Sequence, residues 1–556
     1  MQLKNEVIKL LKKEIKSFDD NLLETPPNSE MGDYALPCFF LSKTLKKDPK
    51  SIAKELSTKL KPNLYIKKII NIGPYINFFI NNEIRTKNLL ERINKEKDKY
   101  GSNNSGKNKS ILIEHTSINP NASPHMGRAR NAIIGDFIVR IHKFENYKVE
   151  THYFVNDVGK QISMLVLASK GKKPTFDQLL SLYVNFNKRL EKNPKLEGEV
   201  FELLNKLEKG DKTVKKQFES IVNICIKGQT EILNKLDIKY DYFDKESQYL
   251  WKKSTTEYLK KLEKTKKIFT DEHGRKVLDL KGYDLPMKSP VFVLTRNDGT
   301  SLYQLRDIAY TIDKVKKSKN NLVILGEDHK LYFQQLSITL ELLKQSPPRA
   351  IFYTFILLKE KGKMSTRKGT VILLDELIKE SEKRALEEVN ARNKKSKQNK
   401  KIADIIAHGA IKFSILKVSP EKNITFDLEE ALSFEGDTSL YVQYAYTRAN
   451  SILKDAKVTK DIDYSLLQKP EETRLITLLE SFPEKVEQAI KNYHSQTIVS
   501  YSLDLAHAFN EFYQQCPCNT EEDKEIKKAR LLLVFSTKQV LKNSLSILGI
   551  KCPEFM

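Results

Sequence analysis

A chain of 556 residues and 64.3 kDa is several times the usual domain of about 100 to 200 residues, which excludes a lone binding module and predicts roughly two to four domains. Lys and Arg number 96 against 72 acidic residues, and the resulting charge of +24 attracts polyanions at long range, although the Lys and Asn found throughout also fit an A/T-rich genome. With 40% hydrophobic residues, overall disorder is excluded.

Cys38, Cys225, Cys516, Cys518 and Cys552 fit neither a disulfide framework nor a zinc site, because Cys516-Pro-Cys518 is tighter than the usual gap between metal ligands. The expectation is a reducing cytosol, with no zinc and no other protein-bound metal. The N-terminal MQLKNEVIKLLKKEIKSFDD alternates apolar and charged residues at helical spacing and lacks the apolar run of a signal peptide. No stretch approaches the roughly 18 to 20 apolar residues that cross a bilayer, so no membrane association is expected.

Residues 1–105 read as a small α/β unit: an amphipathic helix, the loop ETPPNSEMGDYALP, the helix PKSIAKELSTKL, and two short strands in LYIKKIINIGPYINFFI. The polar break KYGSNNSGKNKS is a linker. From residue 106 to 355 the rhythm is that of parallel βαβ units. SILIEH, a Pro/Gly/Asn loop, the helix RARNAIIGDFIVRIHKFE and the strand KVETHYFV come first. SPVFVLTRNDGTSLYQLRDIAYTIDK and KNNLVILGEDHKLYFQQLSITLELL resume the pattern after a mostly helical, charged insertion at about 165–285. Residues 356–434 hold the loop KGKMSTRKGT and a connecting helical region, and 435–556 read as an α-helical bundle. Between residues 441 and 556 there are 15 basic and 15 acidic side chains, so any nucleic acid held there depends on local patches and stacking rather than net charge.

Two loops concentrate the chemistry. The first, Asn119 to Arg128, follows a buried strand and opens a helix, which places backbone N–H groups and the positive helix end where phosphate binds in doubly wound folds. Gly127 permits close approach of a ligand, and His125 and Arg128 can donate to phosphate oxygens. The second, Lys361 to Gly369, comes about 240 residues later and gathers four basic side chains around two glycines, as a pyrophosphate-binding loop would. Taken separately, an ordinary Pro/Gly turn and a solvent-facing basic turn would look the same.

Together and in this order, a His-x-Gly loop and a Lys-Met-Ser loop resemble the two signatures of class I aminoacyl-tRNA synthetases. The stretches GDYALP, GPYINFFI, IEHTSINPNASPHMGRARNAIIGD, HYFVNDVGKQI, NDGTSLYQLRDIAY, GEDHKLYFQQL, GKMSTRKGT, AIKFSILK and FEGDTSLYVQYAYTRANSIL resemble the arginyl-tRNA synthetase family over nearly the whole chain. The resemblance implies a Rossmann-type doubly wound catalytic domain, a small N-terminal α/β domain touching the tRNA elbow, and a C-terminal all-α anticodon-binding bundle. It further implies activation of L-arginine with ATP and Mg2+, transfer to the ribose 2′-hydroxyl at the end of tRNA(Arg), and a monomeric cytoplasmic enzyme.

By the same resemblance, His125, Gly127 and Arg128 serve ATP at the first loop, and Lys363, Met364, Ser365, Arg367 and Lys368 at the second. The family commonly has a second His where Arg128 stands and a Lys where Thr366 stands, so either Arg367 or Lys368 takes over that phosphate contact. A guanidinium substrate calls for coplanar carboxylates and an aromatic wall. Glu114, Asp307 and Tyr303 match the family's arginine contacts, with Asn119 and Gln335 as polar partners and Gln334 the alternative to Gln335; the alternatives are an Arg306 pair or a helix-facing salt bridge for Asp307 and a buried strand-end carboxylate that only orders the loop for Glu114. For tRNA, Asn77 matches a position that reads an elbow base, although an Asn ending a strand is otherwise a turn former, while Tyr441, Tyr444, Tyr446 and Arg448 form a stripe suited to stacking anticodon bases, though such spacing equally suits a helix core. Trp251 and His507 receive no functional assignment.

Overall fold

The computed structural model describes residues 2–15, 18–26, 28–358, 362–363, 373–392, 397–433, 436–454 and 461–556. In chain order it begins with α1 (Gln2–Glu14), β1 (Tyr34–Pro37), α2 (Phe39–Leu45), α3 (Pro49–Lys59), β2 (Ile66–Ile72), β3 (Tyr75–Ile80) and α4 (Asn82–Glu96). Next come β4 (Ser110–Glu114), α5 (Met126–Phe144), β5 (Lys148–Val155) and α6 (Lys160–Ala168), then α7 (Phe176–Lys192), α8 (Lys195–Glu208) and α9 (Lys212–Lys235). They are followed by β6 (Tyr242–Lys245), α10 (Lys253–Glu263), β7 (Ile268–Thr270), β8 (Lys276–Asp279), β9 (Val291–Val293) and α11 (Tyr303–Lys317). The chain continues with β10 (Asn321–Gly326), α12 (Lys330–Leu342), β11 (Arg349–Tyr353), β12 (Ile356–Leu358), β13 (Gly362–Lys363), α13 (Leu374–Arg392) and α14 (Lys397–Leu416). Last are β14 (Ile424–Phe426), α15 (Leu428–Ala431) and four long helices, α16 (Ser439–Ile452), α17 (Pro470–Asn492), α18 (Gln496–Gln515) and α19 (Lys524–Ile547).

Residues 1–100, 449–481 and 507–540 form one compact unit. Its N-terminal part is an antiparallel sheet of order β1-β3-β2 covered by α1. Leu3, Val7 and Leu11 recur at helical spacing on α1 and enter a core with Leu36, Ile52, Ile76 and Phe78. Pro49 follows the Asp48 cap, whose carboxylate accepts from Ser51 N at 3.0 Å and fixes the start of α3. The segment YALP, expected within a loop, is the edge strand β1; four residues ending in Pro are too few for a visible alternation, and pairing with β3 decides their conformation. Within this unit Arg85 of α4 joins Glu480 of α17 at 2.8 Å and Asp33 at 3.3 Å.

Residues 101–448, 482–506 and 541–556 form the second unit. Its centre is a five-stranded, all-parallel sheet of order β11-β10-β4-β5-β6. β4 and β10 carry the near-continuous apolar runs of strands buried on both faces. The strand order reverses between β4 and β10, so the crevice beyond their carboxyl ends is where such folds bind ligands. The insertion carries α7 to α10 but also supplies strands, and β9, expected to resume the parallel sheet, pairs outside it. Tyr242–Lys245 is the edge strand β6 of the central sheet, and β7, β8 and β9 form a separate antiparallel sheet. Strands of three or four residues leave too short a period to read. A third small sheet, of order β13-β12-β14, stands where the second signature loop begins. No helix among the described residues is long and apolar enough to cross a membrane.

Candidate active site

β4 ends at Glu114, and the chain turns sharply through Thr116 (φ 76°) and Ser117 (φ 44°), two consecutive side-chain-bearing residues in the left-handed region. Three anchors hold this strained turn. Asn131 of α5 accepts from Thr116 N at 2.6 Å and donates to Ile324 O of β10 at 2.9 Å, joining the strands on either side of the crevice. Tyr153 of β5 accepts from Ile118 N at 3.1 Å and donates to Gln229 Oε1 at 2.9 Å. Gln229, wholly buried on α9, donates to Asn119 O at 3.1 Å and Ala122 O at 2.8 Å. Asn131 and Tyr153 lie within stretches that carry the family resemblance but received no role of their own, and the insertion that supplies Gln229 read only as a charged helical excursion. Gln229→Leu leaves two buried carbonyls without a donor, and an expected loss of about 1 to 3 kcal/mol for each will appear in urea unfolding of the full chain.

Beside this turn lies His115, 1% exposed, with Nδ1 2.8 Å from Thr116 Oγ1. Burial pushes its imidazole down to about 4. The unfolded chain therefore takes a proton below the ordinary histidine pKa of about 6.5 that the folded chain refuses. Full stability holds above that pH, and roughly 3 kcal/mol is lost as pH falls toward 4. Urea midpoints measured between pH 7 and 4 should fall less steeply in His115→Gln than in the wild type, and parallel slopes would contradict this.

His125 caps the N-terminus of α5 with extended backbone, φ −90° and ψ 161°. Burial first, and then the Arg128 charge, hold its imidazole down at about 4, and Nδ1 has no partner among the described residues. It is thus a neutral imidazole with hydrogen-bonding capacity free at the helix N-terminus. A Cβ on Gly127 would stand 3.1 Å from two atoms of the His125 ring, so Gly127→Ala displaces the imidazole. The expected outcome is a kcat loss of about tenfold, the scale of a misplaced phosphate donor, read by pyrophosphate exchange at saturating substrates. Arg128 sits half-buried in the first helical turn.

The C-terminal margin of the second signature loop meets the first loop. Leu374 N donates to Pro124 O at 2.8 Å, Ser123 Oγ to Asp375 Oδ1 at 2.7 Å, and His125 forms a β-bridge with Leu373. On the other margin, Lys363 ends β13 and is paired with Leu357 of β12. Met364, Ser365, Arg367 and Lys368 lie outside the described residues, as does the Lys363 side chain.

Of the five residues assigned to arginine, α11 brings Tyr303 and Asp307 onto one face. Tyr332 of α12 donates to Asp307 Oδ2 at 2.8 Å and stacks on Tyr303 with centroids 5.6 Å apart, and Thr311 Oγ1 lies 3.3 Å from Asp307 Oδ1. Burial raises the Asp307 pKa; the Lys314 charge opposes that rise and the nearby Glu114 charge adds to it. The alternative pairing of Asp307 with Arg306 does not occur. Arg306 instead reaches Glu246 at 2.7 Å. Glu114 departs from the expected open carboxylate: it forms a buried ion pair with Lys314, whose ammonium also lies 4.3 Å above the Tyr310 ring. A carboxylate taken out of water at a strand end requires such a counter-charge. Asn119 Nδ2 donates to Gln161 Oε1 at 3.2 Å. Gln335 is turned inward, with Nε2 on Val291 O at 2.9 Å, while Gln334 lines a separate cavity of about 390 Å³.

The tRNA assignments divide. Asn77 lies within β3, 3% exposed, with its amide on Met31 O at 2.5 Å, so it is neither the expected turn residue nor presented at the surface. Reading a base through it would require that bond to open. Tyr441, Tyr444 and Arg448 share one face of α16, where Tyr444 is exposed and the Arg448 guanidinium lies 4.7 Å above its ring. Tyr446 turns elsewhere and lines a cavity of about 480 Å³. Trp251 donates to Glu208 O at 3.1 Å beneath Lys215, a packing role, and His507 is exposed on α18. Among the described residues no cluster of three or more His, Cys, Asp or Glu could hold a metal ion.

Three family models match the chain in succession. Residues 1–80 match the arginyl tRNA synthetase N terminal domain, 89–428 the catalytic domain of tRNA synthetases class I (R), and 442–556 the DALR anticodon binding domain. The arginine–tRNA ligase of Methanocaldococcus jannaschii is 42% identical over the full length of both chains. That of Clostridioides difficile is 35% identical over 100% of this chain and 98% of its own. Among solved structures, arginyl-tRNA synthetase of Thermus thermophilus superposes with a TM-score of 0.80 at 27% identity, covering 100% of this chain and 99% of that one. With full-length relatives above 30% identity and a catalytic-domain model spanning more than half of its residues, the chain belongs to the arginyl-tRNA synthetase family.

Proposed function

We propose that this chain activates L-arginine with Mg-ATP to arginyl-adenylate and pyrophosphate, then transfers the arginine to the terminal adenosine of tRNA(Arg), using the crevice between β4 and β10. The observation carrying this reading is the meeting of residues 123–125 with residues 373–375, which brings the borders of two phosphate-binding signatures together.

No covalent enzyme intermediate is needed. The arginine carboxylate attacks the α-phosphorus and pyrophosphate leaves in line, so the protein's work is alignment and stabilisation of charge on the leaving group. His125, neutral at working pH, donates one N–H to a phosphate oxygen without bringing a charge of its own, and Arg128 supplies the permanent charge. Gly127 lets the nucleotide approach the first turn of α5. Lys363, Arg367 and Lys368 neutralise the departing pyrophosphate and Ser365 donates a hydrogen bond to it, with magnesium arriving as the counter-ion of ATP. Asp307, oriented by Tyr332, receives the guanidinium against the Tyr303 ring; Glu114, Asn119 and Gln335 complete the amino-acid pocket. Tyr441, Tyr444 and Arg448 stack unpaired anticodon bases. The same reading carries with it a cytoplasmic, monomeric enzyme.

Arginine-dependent ATP/pyrophosphate exchange, run with and without tRNA(Arg), tests it. Exchange with arginine and none with lysine is the expected outcome. Exchange driven by another amino acid, or by none, would overturn the reading, and light scattering of the pure chain settles the monomer.

A further inference from the structure

Arg130 follows Arg128 on α5 and is wholly buried. It has no ion pair among the described residues. Nη1 donates to Thr354 O at 2.9 Å, Thr354 Oγ1 at 3.1 Å and Phe355 O at 3.3 Å. Nη2 donates to Ser419 O at 3.0 Å and Lys422 O at 2.8 Å. Thr354 and Phe355 form the link between β11, the edge of the parallel sheet, and β12, whereas Ser419 and Lys422 lie just before β14. β12 pairs with β14 on one side and on the other with β13, the strand ending at Lys363. One guanidinium thus fastens the helix that carries the first signature loop to the sheet from which the second departs.

Packing alone does not explain this choice. A buried cation without a carboxylate is costly, and an apolar side chain would fill the same space more cheaply. What a guanidinium adds is a rigid planar fork that fixes several acceptors from two chain segments at once. Burial draws its pKa down to about 10, so it stays charged at neutral pH.

We infer that Arg130 is a positioning residue for adenylate formation: through Thr354, Phe355, Ser419 and Lys422 it sets where the strand ending at Lys363 stands relative to His125 and Arg128. This rests on the reading of Lys363 as a pyrophosphate ligand.

The test uses the full-length enzyme with Arg130→Lys, Arg130→Met and Thr354→Val, each alone and combined with Lys363→Ala, and active enzyme counted by tRNA binding. Arg130→Lys, whose ammonium can satisfy at most three of the five acceptors, is expected to lower kcat for exchange about tenfold or more, with KM for arginine changed less than about threefold. In the Lys363→Ala background the same substitution should cost no more than about twofold, because the group it positions is gone. Thr354→Val removes a single acceptor, keeps the fold, and should show a smaller kcat loss with the same dependence on Lys363. Equal fold-losses with and without Lys363, or an unchanged kcat per active enzyme, overturn the inference. Should the Arg130 variants fail to fold, the Thr354→Val cycle decides by the same criterion. Wild-type enzyme without arginine-dependent exchange overturns the functional reading and this inference with it, whereas wild-type exchange with multiplicative losses overturns this inference alone.

Discussion

Asp307→Asn should lower kcat/KM for arginine by about 10² to 10⁴, the largest single effect expected in the amino-acid pocket. The wild-type carboxylate accepts from Tyr332 and Thr311 and keeps further lone pairs for a guanidinium. An amide loses the charge-assisted bonds, each worth roughly 1.5 to 3 kcal/mol, and turns an N–H2 toward a ligand made only of donors. Lysine presents one ammonium where arginine presents a planar fork, so the loss should be greater for arginine than for lysine or canavanine, narrowing the preference. Exchange kinetics with the three amino acids measure this, and an unaltered preference means the guanidinium is read elsewhere. Because burial raises the Asp307 pKa, the wild-type KM for arginine should begin to rise, on acidification, at a higher pH than an ordinary aspartate would produce.

Lys314→Met should destabilise the chain by about 3 to 5 kcal/mol, since it leaves Glu114 as a buried carboxylate without its partner. Stability alone does not separate a structural pair from one that shapes the pocket, but a second substitution does. Glu114→Gln together with Lys314→Met removes both charges and should restore most of the lost stability. If Glu114 serves only the fold, the double variant should also recover arginine-dependent exchange. The expected result is that it does not: removing the pair leaves the net charge beside Asp307 unchanged, but it takes away the carboxylate lone pairs of Glu114 that Lys314 does not use and that a guanidinium can share. Urea unfolding and exchange on the same preparations read the two effects separately.

Sequence determined the larger outline because each of its signals is local. The apolar run SILIE, the Pro/Gly-punctuated loop after it and the long helix from Met126 to Phe144 announce a βαβ unit within about forty residues, and the Lys-Met-Ser stretch is recognised from its order after the His-x-Gly loop without any knowledge of how the two pack. The helical character of the C-terminal segments was legible for the same reason, as their periodicity runs over many turns.

Tertiary structure alone decided which groups are already spent and which remain free. Glu114 looked like an open carboxylate until α11 placed Lys314 against it, 200 residues away. Asn77 looked like a surface reader until Met31 claimed its amide. Gln229, Asn131 and Arg130 received no role from the sequence, yet they fix the signature loop, join β4 to β10 and anchor the sheet leading to Lys363. β1 and β6 are strands only because a neighbouring strand pairs with them. In each case a polar group or short segment has several acceptable local states, and the free energy that selects one comes from a partner distant in sequence, through desolvation and hydrogen bonding that appear only once the chain has closed on itself.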